Sequence, residues 1–293
     1  MAFTIDDELL GLAGSVALVV GGSGEGMGHQ HCIQLARAGC HVVIGDVKRN
    51  DEVIEEIEGW GRKALYVELD ALSAADHKRA VDTALAELGR LDVSVNHVGG
   101  HFGVSSILDY EESDWDRTVE LCLKSCFHGV RAQARAMVES QTRGRIITVS
   151  STTGADRPSD AGIAAYGAAK AGVKNFTQSA AVELARYGIR VNCIIPGTQR
   201  LAFLAEQPET TPEVWVQHAA QGPVMRRFGD PWETASLSVF LASNLSSYVT
   251  GQAIASDGGL NLTVHREQRD PLPTTLPDSV EPLFDAAGWT SSE

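Results

Sequence analysis

Two side chains four residues apart, Tyr166 and Lys170, could carry proton-transfer chemistry. They lie in a stretch of small residues that predicts a helix, so the phenol and the ammonium would share one face, one turn apart. A phenol beside an ammonium can take a proton from an alcohol or give one to a ketone. Ser151 follows the apolar run 145–150, and its hydroxyl could hold the substrate oxygen. We therefore predict that Ser151, Tyr166 and Lys170 are catalytic.

A glycine-rich segment at 21–28 could bind an anion. It reads Gly-Gly-Ser-Gly-Glu-Gly-Met-Gly and stands between the apolar run Val16–Val20 and a helical pattern at 29–38. Glycines let the backbone approach a pyrophosphate closely, and the N-terminus of the following helix favours its negative charge. A strand, a glycine turn and a helix in this order predict a dinucleotide site.

Asp46, at the end of the second predicted strand, indicates which dinucleotide is bound. A carboxylate at this point can accept hydrogen bonds from the adenosine ribose 2′-hydroxyl and would repel a 2′-phosphate. Glu25 in the loop adds to that repulsion. We therefore predict NAD rather than NADP; the alternative is that Lys48 and Arg49, just beyond the strand, attract the 2′-phosphate.

The composition excludes several partners. The net charge of −14 and a pI of about 5.1 argue against nucleic acid and anionic membranes. No apolar run reaches the roughly 18 residues of a membrane span, and the acidic N-terminal segment is unlike a signal peptide. Five cysteines without a CxxC pair predict reduced thiols in the cytoplasm. The histidines show no metal-ligand spacing, so no metal is predicted.

Short apolar runs alternate with helical patterns along the chain, which predicts parallel strands buried on both faces. One helical stripe is formed by Val81, Leu85 and Leu88, and another by Trp115, Val119, Cys122 and Cys126. We predict one doubly wound α/β domain of the Rossmann type, with helices on both faces of a seven-stranded parallel sheet. The predicted strands lie at 15–21, 41–46, 64–69, 91–98, 145–150, 189–195 and 252–256.

The domain limits follow from a change in composition near the C-terminus. Residues 1–263 are predicted to form the catalytic domain, with a variable substrate lid at about 198–228. The last segment, 264–293, holds four of the ten prolines and six acidic residues, which predicts an irregular tail. Composition leaves open whether the tail is disordered or wraps on its own subunit or on a neighbour.

These motifs together resemble the short-chain dehydrogenase/reductase family over residues 10–262. The resemblance rests on GGSGEGMG at 21–28, Asp46, Asp70, Asn96-His-Val-Gly99, Ser151, Tyr166-xxx-Lys170, Asn192-Cys-Ile-Ile-Pro196-Gly197 and Asp257-Gly-Gly259. It implies that Asp70 lies near the adenine, that Asn96 lies near the adenosine ribose and that Lys170 bonds the nicotinamide ribose. The cofactor-binding residues expected from motif and resemblance are Gly22, Ser23, Gly24, Gly26, Met27, Asp46, Asp70, Ala71, Asn96, Val98, Gly99, Tyr166, Lys170, Pro196, Gly197 and Thr198.

The chain departs from the family pattern at several places. Gly21 and Leu201 each stand where the family has threonine, and His97 replaces the second Asn of Asn-Asn-Ala-Gly. Cys122 replaces the helix Asn that helps to hold a proton-relay water; we interpret Cys122 as a core position. The stretch from Ser151 to Tyr166 is about two residues longer than usual, and its Asp156, Arg157 and Asp160 could reshape one pocket wall.

The resemblance implies an NAD-dependent oxidoreductase that interconverts a secondary alcohol and a ketone, and we expect the oxidative direction. The alternative is a cofactor-binding but catalytically silent regulator or scaffold, which Cys122 and Gly21 suggest. An enoyl reductase is a weaker alternative, because that chemistry usually spaces its Tyr and Lys further apart. The family also implies a homo-oligomer, a tetramer or a dimer, acting on a small-molecule alcohol or ketone. His101 and Phe102 are candidates for the pocket rim.

Overall fold

Seven of the apolar runs form strands of one parallel sheet in the computed structural model, which describes residues 7–200 and 222–262. Along the sheet the strands follow the order β3-β2-β1-β4-β5-β6-β7. The interior strand β1 is buried along its whole length, as expected when helices cover both faces. The strands are β1 Val16–Val20, β2 His41–Asp46, β3 Ala64–Glu68, β4 Val93–Asn96, β5 Arg145–Val149, β6 Arg190–Pro196 and β7 Ala253–Ser256.

The chain changes direction across the sheet between β1 and β4. Strand β1 pairs with β2 on one side and with β4 on the other, so that Val20 lies opposite both Gly45 and Asn96. The connections leaving β1 and β4 therefore turn to opposite faces and open a crevice at their carboxyl ends. Ligands of doubly wound sheets bind at such a switch point.

Helices cover both faces of the sheet and define two apolar cores. One core joins the sheet to α4, α6 and α8, and the other joins it to α2, α3 and α9. The doubly wound Rossmann fold is thus confirmed. The helices are α1 Asp7–Leu10, α2 Met27–Arg37, α3 Asp51–Gly59, α4 Ala74–Leu88, α5 Glu112–Val119, α6 Ser125–Glu139, the kinked turn α7 Thr152–Ala155, α8 Ala164–Leu184 and α9 Pro231–Ala242.

The predicted stripe through Trp115 is wrong in its first member. A π-helical turn at Glu120–Lys124 joins α5 to α6 and adds one residue to the helical repeat. The buried positions are therefore Thr118, Cys122 and Cys126, whereas the Trp115 side chain is exposed. The stripe of α4 is confirmed, because Val81 is buried and Leu85 and Leu88 pack against the same core.

The remaining predictions of position are close to the structure. Each strand begins and ends within two residues of its predicted limits, and α2 begins at Met27 rather than at residue 29. Most of the predicted lid and all of the tail lie outside the described residues. Within the described ranges, none of the helices combines the length and apolar character needed to cross a bilayer.

Candidate active site

The glycine segment between β1 and α2 makes a turn that side chains would obstruct. Gly21 has a φ of +85°, and a Cβ there would lie 2.2 Å from the carbonyl oxygen of His97. A Cβ on Gly28 would lie 2.0 Å from the carbonyl oxygen of Gly21. The backbone conformation at residue 21 therefore favours glycine, which stands there where the family pattern has threonine.

Helix α2 begins at this turn, and among the described residues no side chain caps its first N–H groups. Its N-cap is Gly26, which offers no side-chain acceptor. The hydroxyl of Ser23 is buried and has no hydrogen-bond partner among the described residues. Free N–H groups, the helix dipole and an unpartnered buried hydroxyl suit an anion with several oxygens, such as a pyrophosphate.

Asp46 is held against the same loop. Its Oδ2 accepts a 2.9 Å hydrogen bond from the backbone N–H of Ser23, and its carbonyl oxygen accepts one of 2.9 Å from the Tyr66 hydroxyl. Asn50 Nδ2 donates to the carbonyl oxygen of Ser23 at 3.0 Å. The Arg49 guanidinium is paired with Asp51 at 2.6 Å. The carboxylate of Asp46 is therefore fixed beside the glycine loop, while Arg49 already has an acidic partner.

Asn96, at the end of β4, pairs with a helix. The side-chain amides of Asn96 and Gln133 exchange two hydrogen bonds of 2.9 Å, and Ser94 Oγ donates a third to Gln133 Oε1 at 2.9 Å. All three side chains are buried. The side chain of Asn96 therefore fixes β4 to α6, and the cleft at this strand end is lined by His97, Val98 and Gly99 instead.

Tyr166 and Lys170 lie on one face of the first turns of α8, as predicted. The ammonium of Lys170 is 5.6 Å from the centroid of the Tyr166 ring. This ammonium is buried and donates to the carbonyl oxygen of Val149 at 2.9 Å. The Ser150 hydroxyl donates in turn to the carbonyl oxygen of Lys170 at 2.7 Å. The end of β5 thus holds the lysine at two points.

Ser151 begins the turn that leads from β5 toward α8. Its Oγ accepts a 3.1 Å hydrogen bond from the backbone N–H of Thr153. Gly154 in this turn has a φ of +93°, and a Cβ there would lie 2.0 Å from the carbonyl oxygen of Gly167. The turn therefore packs tightly on α8 next to Tyr166, which brings all three predicted catalytic residues to one cleft.

Cys122 contacts the loop after β4 as well as the core. Its thiol donates to the carbonyl oxygen of Gly100 at 3.1 Å, and its sulfur accepts from the Gly100 N–H at 3.4 Å. A Cβ on Gly99 would meet Lys170 Nζ at 2.7 Å and Cys122 Sγ at 3.3 Å. The buried thiol thus holds the loop that passes directly over the lysine.

Sequence reasoning did not find the packing of two histidine rings beneath the glycine loop. His31 and His97 meet edge to face, with 5.2 Å between ring centroids, and His31 Nδ1 is 2.7 Å from the Ser238 hydroxyl oxygen. Burial and the charge of Lys170 lower the pKa of His97 to about 4. Burial and His97 hold the pKa of His31 well below its usual range. Both rings are therefore neutral near pH 7.

These features meet in one cleft of about 540 Å³ at the switch point, a size typical of small-molecule sites. Of the predicted cofactor residues, seven are not among those that line this cleft: Gly22, Ser23, Gly26, Asp46, Asp70, Ala71 and Asn96. Asp70 is exposed and Ala71 is buried. The predicted rim residue His101 is confirmed as part of the wall, 6.2 Å from the Tyr166 ring. The walls include Gly24, Met27, Val98, Gly99, Ser151, Tyr166, Lys170, Pro196, Gly197, Thr198 and Gln199, and also Glu25, His97, His101, Arg157 and Asp160.

Known proteins resemble this chain in sequence and in fold. A family described as enoyl-(acyl carrier protein) reductase matches residues 22–261. The chain is 38% identical over 253 residues to a 3-alpha-(or 20-beta)-hydroxysteroid dehydrogenase of Mycobacterium tuberculosis, covering 85% of this chain and 90% of that one. It is 36% identical over 251 residues to a cyclopentanol dehydrogenase of a Comamonas species, covering 83% and 96%.

A solved structure agrees with these relatives. A 7 alpha-hydroxysteroid dehydrogenase in complex with NADH and 7-oxo glycochenodeoxycholic acid superposes with a TM-score of 0.78 at 31% identity. The match covers 86% of this chain and 96% of that one. The chain therefore belongs to the short-chain dehydrogenase/reductase family, a family of oxidoreductases.

Proposed function

We propose that this protein is an NAD-dependent dehydrogenase that interconverts a secondary alcohol and a ketone, working mainly as an oxidant of the alcohol. The observation that carries the proposal is the meeting of Ser151, Tyr166 and Lys170 with the glycine loop in one cleft. Relatives that oxidise cyclic secondary alcohols, as the names hydroxysteroid and cyclopentanol dehydrogenase indicate, support the reaction class.

The residues present fit a dinucleotide. The glycine turn leaves room that a Cβ would fill, and the start of α2 and the Ser23 hydroxyl offer unused hydrogen-bonding groups. Asp46 would accept from the adenosine ribose and disfavour a 2′-phosphate. The neighbour solved with NADH supports this choice. Bound NAD⁺ supplies the hydride acceptor.

The proton chemistry belongs to this chain's own side chains. Tyr166 takes the hydroxyl proton of the alcohol as general base and returns a proton to the ketone in the reverse direction. Ser151 donates a hydrogen bond to the substrate oxygen. Lys170, which is itself buried, places a positive charge beside the phenol, where that charge stabilises a developing phenolate.

The spacing of Tyr166 and Lys170 supports carbonyl chemistry over enoyl reduction, because enoyl reductases of this family usually have a larger separation between the two residues.

Cytoplasmic location is also proposed, since all five cysteines are free and buried. The groove between α6 and α8, lined by Phe127, Phe176 and Ala180 among others, supports assembly into a dimer or tetramer. Light scattering of the purified protein tests that assembly.

Calorimetric titration with NAD⁺ and NADP⁺, followed by turnover of cyclopentanol, tests the proposed function. We expect NAD⁺ to bind more tightly than NADP⁺ and NADH to form. Tyr166→Phe should lower the rate by about 100- to 10,000-fold while NAD⁺ still binds. A preference for NADP⁺ would contradict the assignment of Asp46. Binding without turnover of any secondary alcohol would favour the silent scaffold.

A further inference from the structure

The extended connection between β5 and α8 places a charged side chain in the cleft. Arg157 lies six residues after Ser151 and nine before Tyr166, and it lines the same cleft as both. The glycine loop and Lys170 account for the proposed cofactor site, but nothing in the proposed reaction uses an arginine. This side chain is therefore available for another group of the substrate.

The backbone that carries Arg157 is fixed on both sides. Its carbonyl oxygen accepts a 2.8 Å hydrogen bond from the N–H of Gly154, the residue packed against Gly167 of α8. The preceding residue, Asp156, is paired with Lys174 of α8 at 2.5 Å and accepts from Asn261 Nδ2 at 3.1 Å. The position of Arg157 relative to Tyr166 is thus set by contacts on either side of it.

The Arg157 guanidinium makes one long hydrogen bond among the described residues, and its side chain is 35% exposed. Among the described residues its hydrogen-bond partner is Asp160, through a single Nη2 to Oδ2 contact of 3.5 Å, and that carboxylate is 64% exposed. The Nε atom of Arg157 is buried and has no hydrogen-bond partner among the described residues. A buried N–H without an acceptor is costly, so a bound acceptor would be favoured here.

Charge makes the choice of acceptor specific. The whole chain carries −14, which disfavours anionic ligands in general. Among the described residues of the cleft wall, Arg157 and Lys170 are the two permanent cations, and Lys170 is buried with its ammonium on a carbonyl. Glu25 belongs to the glycine loop after β1, and β4 lies between β1 and β5 in the sheet. An arginine with free N–H groups matches the two oxygens of a carboxylate.

We propose that Arg157 binds a carboxylate on the substrate, so that the protein prefers a hydroxy acid and its keto acid to a neutral alcohol of the same shape. The proposal rests on the proposed function for the reaction at the hydroxyl carbon. Arg157 is a specificity-determining residue in this view: it holds the far end of the substrate while Ser151 and Tyr166 meet the reacting oxygen.

Binding of matched ketones to the protein saturated with NAD⁺, a complex in which the ketone cannot be reduced, tests the proposal without requiring turnover. The probes are acetoacetate and the ring keto acids built on cyclopentanone and cyclohexanone, each beside its own carboxamide. We expect at least one carboxylate to bind about 10- to 100-fold more tightly than its carboxamide, the range given by one charge-assisted hydrogen-bonded pair. If each pair binds equally to the wild-type protein, or if only carboxamides bind, the proposal is wrong.

Variants separate Arg157 from a general effect of charge. In Arg157→Gln the ratio of the affinity for the carboxylate to that for its carboxamide should fall to about one. Arg157→Lys should keep part of the preference for the carboxylate. Asp160→Asn removes the competing carboxylate and should strengthen the preference. Arg143→Gln, which removes an exposed arginine that does not line the cleft, is the matched control and should keep it. A preference that survives Arg157→Gln would assign the carboxylate to another residue.

Turnover of the same pairs distinguishes this proposal from the proposed function. If the keto acid binds through Arg157 but no pair is reduced or oxidised, the dehydrogenase reaction fails while the carboxylate site stands. If neutral alcohols and carboxamides turn over as well as the acids, the reaction stands and the carboxylate site fails.

Discussion

The buried ammonium of Lys170 donates to the carbonyl oxygen of Val149, the last residue of β5, at 2.9 Å. An ammonium removed from water is costly unless it is hydrogen-bonded, so this contact accounts for its burial beside Tyr166. Ser151 follows Val149 by two residues. One hydrogen bond therefore ties the helix that carries Tyr166 and Lys170 to the strand end that delivers Ser151.

Lys170→Met tests this arrangement, since methionine is similar in length but has no charge or donor. We expect kcat/KM for a secondary alcohol to fall by about 100- to 10,000-fold, the usual contribution of a proton-transfer group. Lys170→Arg should not restore the rate, because a planar guanidinium does not fit where a compact ammonium meets one carbonyl. Steady-state kinetics by NADH absorbance measure both, and a Lys170→Met enzyme within tenfold of the wild type would contradict the role of the lysine.

Asp46→Asn should relax the choice of cofactor without disrupting the loop. The amide oxygen can still accept from the Ser23 N–H, which now donates to the carboxylate at 2.9 Å. The negative charge that repels a 2′-phosphate is lost, so the NAD⁺/NADP⁺ affinity ratio should fall at least about tenfold. Calorimetric titration with both dinucleotides measures the ratio.

Glu52→Gln is the matched control for Asp46→Asn, because it removes one negative charge from the exposed first turn of α3. The affinity ratio should stay close to that of the wild type. An equal fall in both variants would show a general charge effect in place of a specific contact.

The fold could be predicted because its signals are local. Strands buried on both faces are continuous apolar runs, and a glycine turn between a strand and a helix predicts a phosphate site from sequence alone. Tyr166 and Lys170 are likewise brought together by one helix. What could not be predicted depends on distant contacts: the pairing of Asn96 with Gln133 joins residues 37 positions apart, and the His31 and His97 rings meet only when α2 packs on the sheet. The exposure of Trp115 follows from a π turn, which adds one residue to the helical repeat and cannot be detected from hydrophobic periodicity.

Cys122 is expected to stabilise the loop after β4. In Cys122→Ala the N–H and the carbonyl of Gly100 lose the sulfur that now lies at 3.4 Å and 3.1 Å. We expect the free energy of unfolding to fall by about 1–2 kcal/mol, because thiols are weak hydrogen-bonding groups and the site is buried. Cys122→Ser keeps a donor and an acceptor and should lose less. Urea unfolding measures both; an alanine variant as stable as the wild type would show that the contacts with Gly100 contribute nothing.

His97 should make the protein sensitive to acid. Its pKa is lowered from 6.5 to about 4 by burial and, secondarily, by Lys170. Between these two values the unfolded chain binds a proton that the folded chain does not, so stability is greatest above about pH 6.5 and falls as the pH drops toward 4. The loss amounts to about 1.4 kcal/mol per pH unit for one group.

His97→Asn removes this proton difference and places at 97 the residue expected from the family pattern. Urea unfolding should be measured between about pH 7 and about pH 5. The free energy of unfolding should fall less steeply with decreasing pH in the variant, and the difference in slope should correspond to about one bound proton. The titration of carboxylates is common to both proteins and cancels in the comparison. Parallel curves for wild type and variant would mean that His97 titrates alike in the folded and unfolded chains, against the burial that places it beside His31 and Lys170.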